Sequence, residues 1–376
     1  VSDSKLIIDV RGTQSGNKGA QLMLEAVAER YGSLFTLTAQ THLTDYDVRS
    51  RLGLRQTLHL YRAPRLSPVV SDLLPARVRR PYGLVSDSEI AGVLDASGFA
   101  YSDQWGPNRA ETEVMFGRRQ FRRGVPKVLL PQAFGPFSNV ELRKWASELF
   151  EQSSVVFARD HVSEKYIRGL NLRVPIERSP DFTIGLSASA TDLPITTPFI
   201  AIVPNARIVD RGGQSRDAYF EGLKHLSLAA RAEGLDPLVV VHETQDLALA
   251  KRLAETIDSE IYTNPEPREL KFVLGNASAV ITSRFHALVG ALSQGVPALA
   301  WGWSHKYVEL LKDFDVPEWI ITAEEADPAG RVTALLNDTA ARDRLESARP
   351  NLVAKVDTMW EITEDALRSR HPTRVR

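Results

Sequence analysis

A chain of 376 residues is too long for one ordinary core, so roughly two domains are expected. Its 46 basic and 47 acidic side chains almost cancel, which excludes a global field for nucleic acid or an anionic membrane and leaves any anion-binding surface local. The absence of cysteine excludes disulfides, thiol catalysis and cysteine-type zinc sites, and it fits a cytosolic protein.

Leu6-Ile7-Ile8-Asp9-Val10 reads as a strand, followed by a polar loop and an amphipathic helix over Ala20–Tyr31. The loop, Arg11 to Gly19, sits where backbone N–H groups can meet an anion. It fits neither the dinucleotide nor the Walker pattern, so nicotinamide and ordinary ATP sites are disfavoured; a tight turn that needs glycine is an equal reading. Further strands are expected at Phe35–Thr38, Ile90–Leu94, Lys127–Leu130 and Val155–Ala158, with helices near Glu111–Arg122, Asn139–Phe150 and His161–Arg168. This alternation predicts an α/β domain with a mostly parallel sheet. The Arg-, Pro- and Leu-rich segment Thr57 to Ser88 lacks periodicity and predicts an irregular excursion of the kind that forms lids.

Asp95-Ala96-Ser97-Gly98 and Pro131-Gln132-Ala133-Phe134-Gly135-Pro136 follow strands directly and so fall at the carboxyl edge of the sheet. Gly135 and Pro136 read as backbone geometry, whereas Asp95 either accepts a sugar hydroxyl or caps the following turn. Asp160 reads as a helix N-cap, and Arg159 either faces the sheet edge or pairs with Asp160 or Asp181.

Between Leu186 and Pro198 the sequence turns small, polar and Pro-containing, which places a linker at 188–198 between an N-terminal domain, 1–187, and a C-terminal domain, 199–376. The α/β pattern restarts with Phe199–Val203, a helix over Arg216–Ala232, the strand Pro237–Val241 and a helix after Asp246. The last helix, Leu352–Leu367, is a candidate to pack back on the first domain. Two such domains predict a cleft, with ligands outside the strand carboxyl ends.

The densest chemistry lies between Ala279 and Lys306. A strand over Ala279–Thr282, a helix over Ala287–Ser293 and a strand over Pro297–Trp301 put Arg284, His286 and Lys306 at one sheet edge, where they suggest an anionic, phosphorylated substrate. A lone histidine is more often structural, but His286 lies two residues from Arg284. His242-Glu243 and His305 fall near the same edge. His42, His59, His161, His225 and His371 lack metal-ligand spacing, so no structural zinc is expected and no metal site is assigned. The basic tail His371–Arg376 reads as a frayed end. No apolar run is long enough to span a bilayer and the first residues lack a signal pattern, so a soluble protein is expected.

At these residues the chain resembles the polysaccharide pyruvyl transferase family. The resemblance is carried by Ser15-Gly16-Asn17-Lys18-Gly19, Pro131 to Pro136, Ala158-Arg159-Asp160 with Ser163, Ser179-Pro180-Asp181, and above all Ser283-Arg284-Phe285-His286-Ala287-Leu288 with Gly295-Val296-Pro297 and Lys306. It covers most of the chain in order. It implies a GT-B-like fold of two Rossmann-like domains and transfer of pyruvate from phosphoenolpyruvate to sugar hydroxyls, with no cofactor. Arg159, Arg284, Phe285, His286 and Lys306 would bind the donor, with Arg284 and His286 catalytic. Asn17, Lys18, Asp95, Gln132 and Asn205 would bind a saccharide acceptor, free or lipid-linked, mainly through the N-terminal domain. Localisation would be cytoplasmic, peripheral to the membrane only through that acceptor or a partner; no nucleic-acid partner is expected.

The chain departs from the family's pattern twice on the acceptor side: Ala20 stands where Asp is usual, and Asp95-Ala96-Ser97-Gly98 replaces a glycine-rich turn. Two other readings use the same residues. A glycosyltransferase could place a nucleotide-sugar diphosphate on the cations, although no acidic ribose-binding motif supports it. A non-catalytic glycan- or phosphate-binding protein could keep the site without turnover.

Overall fold

The structure is a computed structural model that describes residues 5–58, 60, 63, 66–208, 215–322, 325 and 327–369. His59, His371 and the tail 371–376 lie outside these residues. The described chain forms two compact α/β units. One draws on Val1–Gly16, Met23–Asp181 and Lys355–Arg376; the other on Asn17–Leu22 and Phe182–Ala354.

The first unit is built on an eight-stranded sheet of β1 (Ile7–Arg11), β2 (Thr36–Gln40), β3 (Arg55–Thr57), β4 (Leu84–Val85), β5 (Ile90–Asp95), β6 (Lys127–Gln132), β7 (Val155–Ala158) and β8 (Ile176–Arg178). The spatial order is β4-β3-β2-β1-β5-β6-β7-β8, parallel throughout. Strands covered on both faces must be apolar along their length, and Val128-Leu129-Leu130 and Val155-Val156-Phe157 are buried without alternation. Chain growth reverses between β1 and β5, the switch point at which an open α/β sheet offers a crevice. Gly12, at φ +80°, lies so close to Ser97 that a Cβ would stand 2.2 Å from the Ser97 hydroxyl. Below it, Arg11 is buried, with Nε 2.7 Å from Asp9, a terminal nitrogen 2.8 Å from Gln120 and its guanidinium 4.5 Å from the Phe116 ring centre.

The second unit is built on β9 (Phe199–Val203), β10 (Asp236–Val241), β11 (Glu260–Thr263), β12 (Ala279–Thr282), β13 (Ala298–Trp301) and β14 (Ile320–Ile321). The order is β11-β10-β9-β12-β13-β14, again all parallel. Written by position within the unit this is 3-2-1-4-5-6, the doubly wound dinucleotide-fold order, with its switch point between β9 and β12. Helices Arg216–Ala232, Leu247–Ile257, Pro267–Gly275 and Phe285–Leu292 bury their apolar stripes on the sheet through residues such as Leu223, Leu253, Leu274 and Leu288.

The segment from Thr57 to Ser88 differs from expectation. Its described residues form helices Ser67–Leu73 and Ala76–Arg79 and the edge strand β4, rather than an irregular excursion. Each piece is too short to show a period, which is why sequence patterning missed it. Residues 185–198 carry no helix or strand. The last helix starts at Ala341, runs through Pro350 to Arg368, and from Lys355 belongs to the first unit, where the Tyr31 hydroxyl donates to the Trp360 carbonyl at 2.7 Å.

Candidate functional site

The switch point of the second sheet holds a turn fixed from several sides. β12 ends at Thr282, whose hydroxyl accepts from the Arg284 N–H at 2.9 Å, and Arg284 is extended (φ −104°, ψ 121°) just before helix Phe285–Leu292. The Ser283 carbonyl accepts from the Asn205 side-chain amide at 2.8 Å and from the Tyr307 hydroxyl at 2.7 Å. The Ser283 and Tyr219 hydroxyls are 2.7 Å apart, and the Asn205 N–H donates to Tyr219 at 3.1 Å. Asn205, Tyr219, Ser283 and Tyr307 are all buried. Removing one member leaves a buried polar group unmet, so Arg284 and His286 leave the sheet edge in a set direction.

Arg284 is held by two acids from the end of β10. Its Nε donates to Asp246 Oδ2 at 2.7 Å, its terminal nitrogens pair with Asp246 and Glu243, and Arg207 binds the other Glu243 oxygen at 2.9 Å. Burial acts to lower the Arg284 pKa, but Asp246 and Glu243 outweigh it and hold the guanidinium above its ordinary value. Two carboxylates therefore balance the charges of Arg284 and Arg207. His242, one residue earlier, is buried beside Arg284 and His286, and burial followed by those charges pushes its pKa down to about 3. It is a neutral imidazole at ordinary pH.

Residues Asn17 to Leu22 belong to this same unit. Asn17 forms a bridge with Glu243, to which its amide donates at 3.4 Å. The Lys18 N–H donates to the His242 carbonyl at 3.4 Å, and its ammonium reaches the Pro265 carbonyl at 2.7 Å and Gln21 at 3.2 Å. Gly19 lies directly on His286: a Cβ there would stand 2.3 Å from Nδ1. Only glycine lets this helix start approach the imidazole so closely. Lys306 sits over the rings of Trp303, Tyr307 and Phe285, at 4.9, 5.4 and 5.5 Å from their centres. Aromatic faces attract an ammonium.

The structure therefore brings Arg284, Phe285, His286, Lys306, Asn17 and Lys18 together in one unit. Asn205 also lies there, but as a brace: its amide donates to Ser283 and its Oδ1 accepts from the Arg207 N–H at 2.9 Å. Arg159, Asp95 and Gln132 belong to the first unit. Arg159 pairs with Asp181 at 3.0 Å, while Asp160 caps helix His161–Arg168 by accepting from the Ser163 N–H at 2.7 Å. Asp95 accepts from the Ser97 N–H at 3.0 Å and from the Ser97 and Tyr101 hydroxyls, so its carboxylate caps the turn after β5. Burial first, then Glu113, raises its pKa above the ordinary carboxylate range. Gln132 is fully buried, and neither polar atom of its amide has a hydrogen-bond partner among the described residues.

Sequence reasoning missed the roles of Glu243, Asp246, Arg207, Tyr219 and Tyr307. A weak signal for the acids exists, because Glu243 and Asp246 follow an apolar strand in His242-Glu243-Thr244-Gln245-Asp246. Among the described residues, no group of His, Cys, Asp and Glu has metal-binding geometry.

Solved structures place the fold in the GT-B class. HepE of Anabaena, in complex with UDP and glucose, is similar at 14% identity and TM-score 0.60, covering 96% of this chain and 99% of that one. The UDP-GlcNAc 2-epimerase of Neisseria meningitidis, bound to UDP-GlcNAc, is similar at 11% identity and TM-score 0.61, again over 96% and 99%. The trehalose-6-phosphate synthase OtsA is similar at 10% identity and TM-score 0.55 over the same shares. No curated protein matches the sequence.

The family is narrower than the fold. Residues 17–305 match the model described as polysaccharide pyruvyl transferase, and the chain belongs to that family. Membership makes it a transferase enzyme of polysaccharide modification.

Proposed function

We propose that the protein moves the pyruvyl group of phosphoenolpyruvate onto two hydroxyls of one glycan sugar, forming a cyclic ketal and releasing phosphate. The observation that carries this reading is the braced turn Ser283-Arg284-Phe285-His286, which brings Arg284 and His286 to one sheet switch point. Phosphoenolpyruvate carries a carboxylate and a phosphate on an enol carbon, and such an anion needs fixed cations. Lys306 supplies one, with Phe285 packed under its ammonium, and Arg284, whose charge Asp246 and Glu243 balance, adds its remaining N–H donors. Arg159 completes the donor set by the family resemblance.

His286 is the acid that delivers a proton to the methylene carbon, the difficult step, where a placed acid contributes about 10²–10⁴-fold. The proton converts CH2 to CH3 and leaves C2 oxocarbenium-like. One sugar hydroxyl adds to C2 with loss of its proton, the C2–O bond to phosphate breaks, and the second hydroxyl closes the ring with loss of its proton. Two hydroxyl protons are released: one replaces that given by His286, and the other leaves with phosphate or solvent. Arg284 and Lys306 take up charge on the departing phosphate. Asn17, Lys18 and Gln132 are assigned to the acceptor by the family resemblance. Asp95 and Asn205 act by holding their loops.

Calorimetry tests the donor. Phosphoenolpyruvate should bind, Arg284→Ala should abolish that binding, and His286→Ala should keep most of it while turnover falls. Binding of UDP-sugars with none of phosphoenolpyruvate would overturn the reading in favour of glycosyl transfer.

A further inference from the structure

Helix Ser67–Leu73 is turned inside out. Its inward face carries Ser67, Pro68 and Ser71, all buried. The Ser67 hydroxyl accepts from the Leu60 N–H at 2.8 Å, and that of Ser71 accepts from the Asp87 N–H at 3.1 Å. Leu66, Val69 and Leu73, spaced i, i+3 and i+7 on one helical face, are instead exposed, Leu73 to 76%. The next turns repeat the inversion: Arg79 is buried against Glu89 and the Leu74 carbonyl, while Val78 and Tyr82 are exposed, Tyr82 to 73%. Five of the eleven large apolar side chains exposed among the described residues fall within these seventeen positions, a concentration beyond single scattered residues.

Charge indicates what covers it. Asp72, the only acid between Leu66 and Tyr82, pairs with Arg119 at 3.0 Å, whereas Arg77 and Arg80 are exposed beside the apolar side chains. Exposed aliphatic groups, an amphipathic tyrosine and arginines able to reach headgroups are the side-chain types that suit a lipid interface. No helix among the described residues is long and apolar enough to cross a membrane.

We propose that the segment Leu66 to Tyr82, through its exposed Leu66, Val69, Leu73, Val78 and Tyr82 with Arg77 and Arg80, docks on an anionic lipid bilayer. This does not depend on the reaction assigned above. Each arginine adds about fivefold in membrane affinity, and burying Leu73 adds about tenfold or more. The test is sedimentation of the full chain with phosphatidylcholine vesicles, with and without phosphatidylglycerol. The chain should sediment with the anionic vesicles only, less so as salt rises. Leu73→Glu/Tyr82→Glu and, separately, Arg77→Glu/Arg80→Glu should each lower that binding at least about tenfold, with melting temperature unchanged. No sedimentation with anionic vesicles at low salt overturns the proposal, as does undiminished binding by both variants. So does a result in which the substitutions dissolve a dimer while vesicle binding stays absent, since a second copy would then be the occupant.

Discussion

His242 shows how a buried group near the site ties stability to pH. Its pKa is about 3 in the folded chain against an ordinary 6.5. Above pH 6.5 both states are neutral there; between 6.5 and 3 only the unfolded chain takes up the proton, so stability falls as pH falls through that window. Denaturant unfolding from pH 7 to 4 should show this slope, and His242→Gln should flatten it. An equal slope in both proteins would remove His242 as its source. At this scale the sequence was partly legible. Asp160 as an N-cap could be read from local spacing, and Asp95 as a turn cap was one of two readings. Glu243 and Asp246 as partners of Arg284 could not, because their contact joins two parallel strand ends 38 to 41 positions apart.

Among elements, the turn after β12 decides the site, and Asn205 is its most economical test. Asn205→Ala leaves the Arg207 N–H without its acceptor and takes one of two donors from the Ser283 carbonyl. The cost should be about 1–3 kcal/mol, read as a lower melting temperature, together with weaker donor binding because Arg284 loses its fixed direction. A change below about 0.5 kcal/mol would show that Tyr219 and Tyr307 hold the turn alone. Long buried strands such as β6, β9 and β12 were legible because β-branched and leucine-rich runs end at turn residues. β3, β4 and β14 were not: two or three residues carry no period, and tertiary pairing at the sheet edges creates them. The inverted helix Ser67–Leu73 defeats patterning for another reason, since its apolar stripe faces away from the core.

For the whole molecule, the alternation of strands and helices predicted two parallel sheets, and the strand orders supply what no alternation contains: the switch points. At the first, Gly12 packs against Ser97, and the second carries Arg284 and His286. Sequence order also hides that Asn17 to Leu22, near the start of the chain, belong with residues 182–354. A family motif could therefore be read at Ser15 to Gly19 while its partners, Glu243 and His286, could not. The central claim is pyruvyl transfer at the second switch point. The most direct measurement follows label from phosphoenolpyruvate, carbon-labelled in its pyruvyl group, into a panel of saccharides, with phosphate counted in parallel. The account predicts one phosphate released per labelled ketal formed, and a loss of both by about 10²–10⁴-fold in His286→Ala. Label transfer at the parental rate in that variant, or glycosyl transfer from a nucleotide sugar with no label incorporated, would contradict it.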